Sequence, residues 1–250
     1  MKKFLFFLAA VLLAGFAAEA KKLPADALGT HTYDVRYTWG LINAKVATGT
    51  ITLEKSDWEG QATYHSSAII SANSIFSLFM GSAYTADIHL AQTDLQPVYF
   101  INPFKKNGKQ GKFEYFYRKD KKIVDSITDM GTGDGSVETT FPLDGRTMDL
   151  LSLLHFVRFH EFSHAGTPVK LHLLMGGRSF PAELIWQGED DERFPGRKAE
   201  RILLHMTERG LMENGSGTEI TVWRSDDETR MLLGLEAALS AGSMSVSIRE

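Results

Sequence analysis

From Thr32 to Leu53 apolar and polar residues alternate. Tyr33, Val35 and Tyr37 take one face and Asp34, Arg36 and Thr38 the other, and Ala44, Val46 and Thr48 lead on to Ile51 and Leu53. A period of two marks strands with one buried face, and Gly40 supplies the reversal between two of them. The alternation returns from Ala62 to Ala68, and strands are expected over Tyr84 to Leu90, Pro97 to Ile101, Lys112 to Tyr117 and Lys121 to Ile127. Val169 to Met175 and Arg178 to Trp186 flank Gly176-Gly177, a pair suited to a primed hairpin turn. Ala199 to Met206, Thr218 to Trp223, Arg230 to Ala237 and Ser243 to Ile248 close the chain. The expected total is about eleven or twelve strands, most joined by turns too short for a helical crossover, so the sheet should be antiparallel.

Two segments break the alternation. Ser74 to Gly81 is short and apolar, a turn or two of helix stopped by glycine. Met148 to His164 is longer: Leu150, Leu153, Leu154 and Val157 fall at the spacing of one helix face, and His160 and His164 continue the stripe. Gly166 and Pro168 then end it. A helix apolar on most sides needs cover on most sides. The expected fold is therefore mainly β, of the α+β class: a single antiparallel, strongly curved sheet or open barrel, with one long central helix and one short helix packed on its concave face.

The N-terminus changes the setting. Met1-Lys2-Lys3, an apolar run from Phe4 to Ala18 and the Ala18-Glu19-Ala20 cleavage pattern read as a bacterial secretory signal peptide. Residues 1–20 are thus assigned to the leader and 21–250 to a single β-rich domain, in the periplasm of a Gram-negative bacterium. The apolar run falls short of the ~20 residues of a membrane-spanning helix, so no transmembrane segment is expected after cleavage. There is no cysteine, which excludes a lipid anchor, disulfides and thiolate metal sites. The formal net charge of −4 becomes one unit more negative without the leader and argues against a nucleic-acid partner.

Three features suggest chemistry. His160-Glu161-Phe162-Ser163-His164 matches the H-E-x-x-H pattern, in which two histidines one helical turn apart hold zinc and the glutamate activates water. The extended form would need glycine and a third histidine where Thr167 and Lys170 stand; His172 and His205 are the remaining third ligands. The alternative is a helix end whose histidines meet the C-terminal carbonyls. Lysines and arginines surround aromatics between Phe104 and Lys122, and a hairpin carrying Lys119, Lys121 and Lys122 would suit an envelope protein or anionic polymer; the other reading is a lysine-protected sheet edge. Trp223-Arg224-Ser225-Asp226-Asp227-Glu228 gathers three carboxylates without the alternate acids and glycine of a calcium loop, and reads as a solvated turn.

Tyr33-Asp34-Val35-Arg36-Tyr37-x-Trp39-Gly40, the Asp149-Leu150-Leu151-Ser152-Leu153-Leu154 helix with Arg158, the Gly-Gly hairpin and Val222-Trp223-Arg224-Ser225-Asp226-Asp227 together resemble the bacterial domain-of-unknown-function family 3108. The resemblance spans nearly all of the chain after the leader. It implies an exported envelope protein and brings no activity with it; the His-Glu-x-x-His stretch is not part of the family pattern. Many relatives look like lipoproteins or carry proline after the Ser-Asp-Asp turn, whereas this chain lacks cysteine and has Met231 and Leu232 there. The expected architecture also resembles, more remotely, the half-open barrels of periplasmic lipoprotein carriers.

The expected function is a non-enzymatic periplasmic protein that binds an apolar, acyl or lipid-like ligand or an envelope partner. It needs no cofactor, and Ile75, Phe76, Leu78, Phe79, Leu150, Leu154 and Val157 face the ligand. The alternatives are a zinc-dependent hydrolase with His160 and His164 as ligands and Glu161 as base, and a structural scaffold that meets its partner through Lys119, Lys121 and Lys122.

Overall fold

The alternating segments form one fifteen-stranded sheet. The computed structural model describes residues 22–73, 83–106, 108–144, 146–206, 219–239 and 241–249. After a 3-10 turn at Ala25–Ala27 come β1 (Gly29–Trp39), β2 (Ile42–Trp58), β3 (Gln61–Ala72), β4 (Ala83–Ala91), β5 (Pro97–Lys106), β6 (Lys109–Arg118), β7 (Ile123–Asp129), β8 (Ser136–Pro142) and β9 (Thr147–Asp149). The helix α1 (Leu150–Phe159) precedes β10 (Pro168–Met175), β11 (Arg178–Glu189), β12 (Ala199–Met206), β13 (Glu219–Ser225), β14 (Leu232–Ala238) and β15 (Ser243–Ile248). The leader and the Ser74 to Gly81 segment lie outside the described residues.

Each strand pairs with its neighbour in sequence, and β1 pairs with β15, so the order runs round from β8 back through β1 to β15 and on to β9. The result is a nearly closed barrel whose seam lies between β8 and β9, which the chain joins directly. All pairings are antiparallel except the short β9 beside β10. The hairpin at Gly176-Gly177 spans the seam: the Gly177 N–H donates to the Tyr115 hydroxyl at 3.2 Å, and Tyr115 is a core side chain. This turn therefore tucks under the inner face of β6 and β7.

Antiparallel pairing sorts the turns into two sets. β1–β2, β5–β6, β10–β11 and β14–β15 turn at one end; β2–β3, β4–β5, β6–β7, β11–β12 and β13–β14 turn at the other. The helix starts at the first end, where Asp149 lies opposite Leu174, and runs inside the barrel toward the second. Leu151 and Phe159 pack into the half of the core holding Leu53, Tyr64, Ile88 and Val124. Leu153 and Val157 pack into the half holding Leu173, Leu184, Ile202 and Val222. Stripes on opposite sides bury a helix that neither half alone could cover.

Two expectations need correction. Among the described residues the sheet has fifteen strands against the eleven or twelve expected, and β8 and β9 are strands that the pattern does not name: β8 is exposed at nearly every position, so it has no inside to alternate with, and β9 is three residues at the mouth of the helix. The long helix is shorter than Met148 to His164: it begins after Asp149 and ends at Phe159. Asp149 caps its start, accepting from the Ser152 N–H at 2.8 Å. Its end is stopped by Arg224, which donates to the carbonyl oxygens of Val157, Arg158 and His160 at 2.7–2.8 Å and so satisfies acceptors that a further turn would have used. His160 accordingly leaves the helix, at ψ 131.

Candidate functional site

Between α1 and the strands around it lies a cavity of about 320 Å³. The helix supplies Leu150, Leu153, Leu154 and Val157; β1 and β2 supply Val35, Val46 and Ala47; Leu204, Val222, Leu235 and Val246 come from the opposite wall. A smaller cavity of about 110 Å³ continues along the helix past Ile51, Ala68 and Ala86, and shares Val35, Ile70, Tyr84, Leu150 and Leu154 with the first. Two causes in the sequence leave this space. Inward positions alternate along the strands and are largely apolar, save at bulges such as the one that turns both Val46 and Ala47 inward, and several in this sector are small: Ala47, Gly49, Ala68, Ala72 and Ala86. A larger helix face or larger strand residues would have filled it.

Among the described residues the lining carries no ionised group. Tyr84 is its polar member in the larger part, and burial together with the nearby Asp149 pushes the Tyr84 phenol up to about 12, so it stays neutral. Water held there would find few of the two to four polar partners it needs, whereas alkyl groups would find contacts on all sides. The mouth lies at the end where α1 begins, and Leu150, Tyr84 and Ile70 are each more than a third exposed there.

The opposite end of α1 is built from charge. Arg224, 1% exposed, meets Glu200 at 2.6 Å while capping the helix. Arg230 joins Glu200 at 2.8 Å and Asp226 at 3.0 Å. Arg158 is buried too, and donates to the carbonyls of Arg230, Ala27 and Thr229, tying the N-terminal 3-10 turn to the β13–β14 connection. Asp227 accepts from Ser225 and from the Thr229 N–H, each at 2.9 Å; burial pushes its carboxyl up, but these bonds outweigh it and hold it below its ordinary value. The Trp-Arg-Ser-Asp-Asp turn is thus a bracket for the helix end, with one oxygen of each of its two aspartates bonded within the chain.

The residues singled out from sequence separate. Leu150, Leu154 and Val157 line the cavity; Ile75, Phe76, Leu78 and Phe79 lie outside the described residues. The His-Glu-x-x-His stretch lies beyond the end of the helix in irregular structure, so the two imidazoles lose the one-turn helical spacing on which the zinc reading rested. The His160 ring stacks on Phe156 at 4.5 Å and meets the edge of Phe162 at 4.8 Å. Glu161 lies 3.6 Å from Arg230, and His164 is exposed. His172 pairs with Asp144 and His205 with Glu219. Among the described residues no three His, Asp or Glu side chains are grouped to hold a metal. Lys119 is paired with Asp94 at 2.8 Å, and with Lys121 and Lys122 sits at the β6–β7 turn. Lys105 and Lys109 lie at the other end of the same strands, so the basic residues do not form one patch.

The walls contributed by β1, β2 and β12 to β15 were not anticipated as ligand-facing. The signal available was the inward parity of Val35, Val46, Val222 and Val246 combined with small residues on neighbouring strands.

Among the described residues no helix is long and apolar enough to cross a membrane. Residues 32–249 match the family described as "Protein of unknown function (DUF3108)". Among solved structures, the chain is similar to a beta-barrel-like protein of domain of unknown function DUF1849 from Brucella abortus, with 9% identity and a TM-score of 0.51 over 88% of this chain and 95% of that one. That likeness is one of fold. No curated protein matches the chain.

Proposed function

Since the chain belongs to the DUF3108 family, whose description carries no activity, its role has to be read from geometry, and we propose that it is an exported, non-enzymatic carrier that holds an acyl or similarly apolar ligand beside α1. One observation supports this above the others: a 320 Å³ chamber with an almost wholly apolar wall and a mouth at one end of the barrel. Left as an empty void, that volume would forfeit as much as about 8 kcal/mol of packing at roughly 24 cal/mol per Å³, comparable with the whole stability of a domain. An alkyl occupant recovers much of that loss. Both ends of α1 are tied to the barrel by buried polar groups, so the helix forms a fixed wall and the chamber is preformed.

The test is native mass spectrometry of protein purified from its own envelope, followed by displacement of a fluorescent fatty acid. A bound acyl-containing mass and saturable displacement are expected. Leu154→Trp, which fills both parts of the chamber, should lose binding while keeping its fold. An empty protein that also fails to bind the probe overturns the reading. Export is checked separately, by an envelope protein whose N-terminus is Lys21.

A further inference from the structure

The two ends of the barrel differ in chemistry. At the end away from the mouth the turns carry charge of both signs, with Glu59, Asp94, Asp120, Asp191, Asp226 and Glu228 beside Lys119, Lys121, Lys122, Arg193, Lys198 and Arg230. At the mouth end, the β1–β2 turn is Trp39-Gly40-Leu41-Ile42. Trp39 and Ile42 face each other across the last rung of the hairpin, and Gly40 takes the left-handed φ of +55° that reverses the chain. Trp39 is 58% exposed, Leu41 106% and Ile42 53%. Three consecutive large apolar side chains of the described residues therefore project into solvent at a hairpin tip, next to the strand segment that supplies Val46 and Ala47 to the chamber.

An ordinary soluble hairpin places polar residues at such a tip, and scattered single exposed leucines would need no explanation. Here the exposed residues are contiguous, and tryptophan sits at their base with leucine at the apex, the order in which side chains enter the headgroup and acyl layers of a bilayer. The same end carries exposed Lys105, Lys109 and Arg178, against exposed Asp134 and Glu219 at its strand ends. The mouth end thus joins an apolar tip to exposed basic residues on the same rim, while the far end mixes both signs, and the former suits an anionic phospholipid surface.

We infer that the β1–β2 tip is a membrane-docking element that seats the mouth of the barrel on a bilayer containing anionic phospholipid. The docking stands on the tip and the basic residues of the same rim alone; that it serves to pass an acyl chain between bilayer and chamber rests on the carrier reading above.

The experiment is flotation of the chain from Lys21 onward with vesicles of phosphatidylethanolamine and phosphatidylglycerol, read together with tryptophan emission. The protein should float with the vesicles and its emission should shift to the blue, a shift that Trp39→Phe removes. Leu41→Asp combined with Ile42→Asp, both on an exposed turn, should weaken vesicle binding by roughly tenfold or more and leave binding of a soluble fluorescent fatty acid unchanged. Failure of the parent protein to float, or equal flotation of the double variant, overturns the inference. So does capture of an envelope protein through Leu41 without any vesicle binding. Equal binding to vesicles of phosphatidylcholine alone overturns the role given to the basic residues of the rim. Flotation alongside a negative fatty-acid assay upholds docking and removes the carrier reading instead.

Discussion

The Tyr117 hydroxyl donates to Asp149 at 3.0 Å at the buried start of α1. The same carboxyl accepts from the Ser152 N–H and lies against the Ser152 hydroxyl, so one side chain caps the helix and anchors it to β6. Asp149→Ala should cost about 2–4 kcal/mol, a lost cap plus stranded hydroxyls, whereas Asp149→Asn, which can still cap, should cost much less. Burial outweighs the hydrogen bonds from Ser152 and Tyr117 and raises the Asp149 carboxyl above its ordinary 3.8. A raised acid stabilises the fold in its protonated form, and that contribution is lost as pH rises from the unfolded value through the folded one. The Asn variant should therefore gain on the parent as pH rises above about 4, in urea melts run at a series of pH values.

His155 makes the opposite contribution. It is buried within α1, 2.8 Å from the Ser66 hydroxyl through Nε2, and burial, then the nearby Arg158 charge, hold its imidazole well below the ordinary 6.5. The folded chain keeps it neutral while the unfolded chain takes up a proton below 6.5, so its contribution is full above that value and is lost as pH falls. The expected slope approaches about 1.4 kcal/mol per pH unit. His155→Phe should flatten the acid limb of the stability curve, leaving the contributions of His31 and His89, which burial also lowers.

Arg224 can be tested against its near relatives. Arg224→Met removes the cap of three carbonyls and leaves Glu200 buried without one of its two cations, for an expected loss of about 3–5 kcal/mol. Arg224→Lys should recover only part of it, because a single ammonium cannot span the fork of acceptors that the guanidinium reaches. A double-mutant cycle of Arg224 with Glu200, measured by chemical denaturation, should give a coupling well above that of an exposed pair such as Arg193–Glu236.

The seam distinguishes two adjacent glycines. Both have left-handed φ, +56° at Gly176 and +71° at Gly177. A Cβ on Gly176 meets open space, while one on Gly177 would overlap the Thr128 hydroxyl. Gly176→Asn should change stability little, since asparagine tolerates that backbone. Gly177→Ala should cost about 1–3 kcal/mol and loosen the β10–β11 hairpin from β7, visible as faster amide exchange across β7 and β8.

The antiparallel curved sheet and the buried helix were legible because Val35, Leu184 and Leu204 keep inward parity and the α1 leucines keep a helical one. The edges were not: β8 has no buried face, and β9 gains its partner only through a parallel pairing with β10 that no local pattern encodes. The helix end was misplaced because the residue that sets it, Arg224, lies 64 positions beyond His160. For the same reason the Asp-Leu-Leu-Ser and Trp-Arg-Ser-Asp-Asp segments, legible as motifs, were not legible as the two mounts of one helix. The chamber was half visible: its helical wall could be named, but the opposing strands depend on which small residues the register brings together.

The pairing of β1 with β15 also dictates an order of assembly. Asp34 and Arg249, 215 positions apart, form an ion pair across this junction, so the first strand made has one free edge until the last has arrived. Every other junction of the sheet closes between strands consecutive in sequence, with the helix intervening at β9–β10, at small entropic cost, and this one closes across almost the entire chain. A nascent or translocating chain can build the meander piece by piece but cannot complete its wall. Truncating the final strand should thus leave a chain with two open edges in place of one wall, prone to pair with copies of itself.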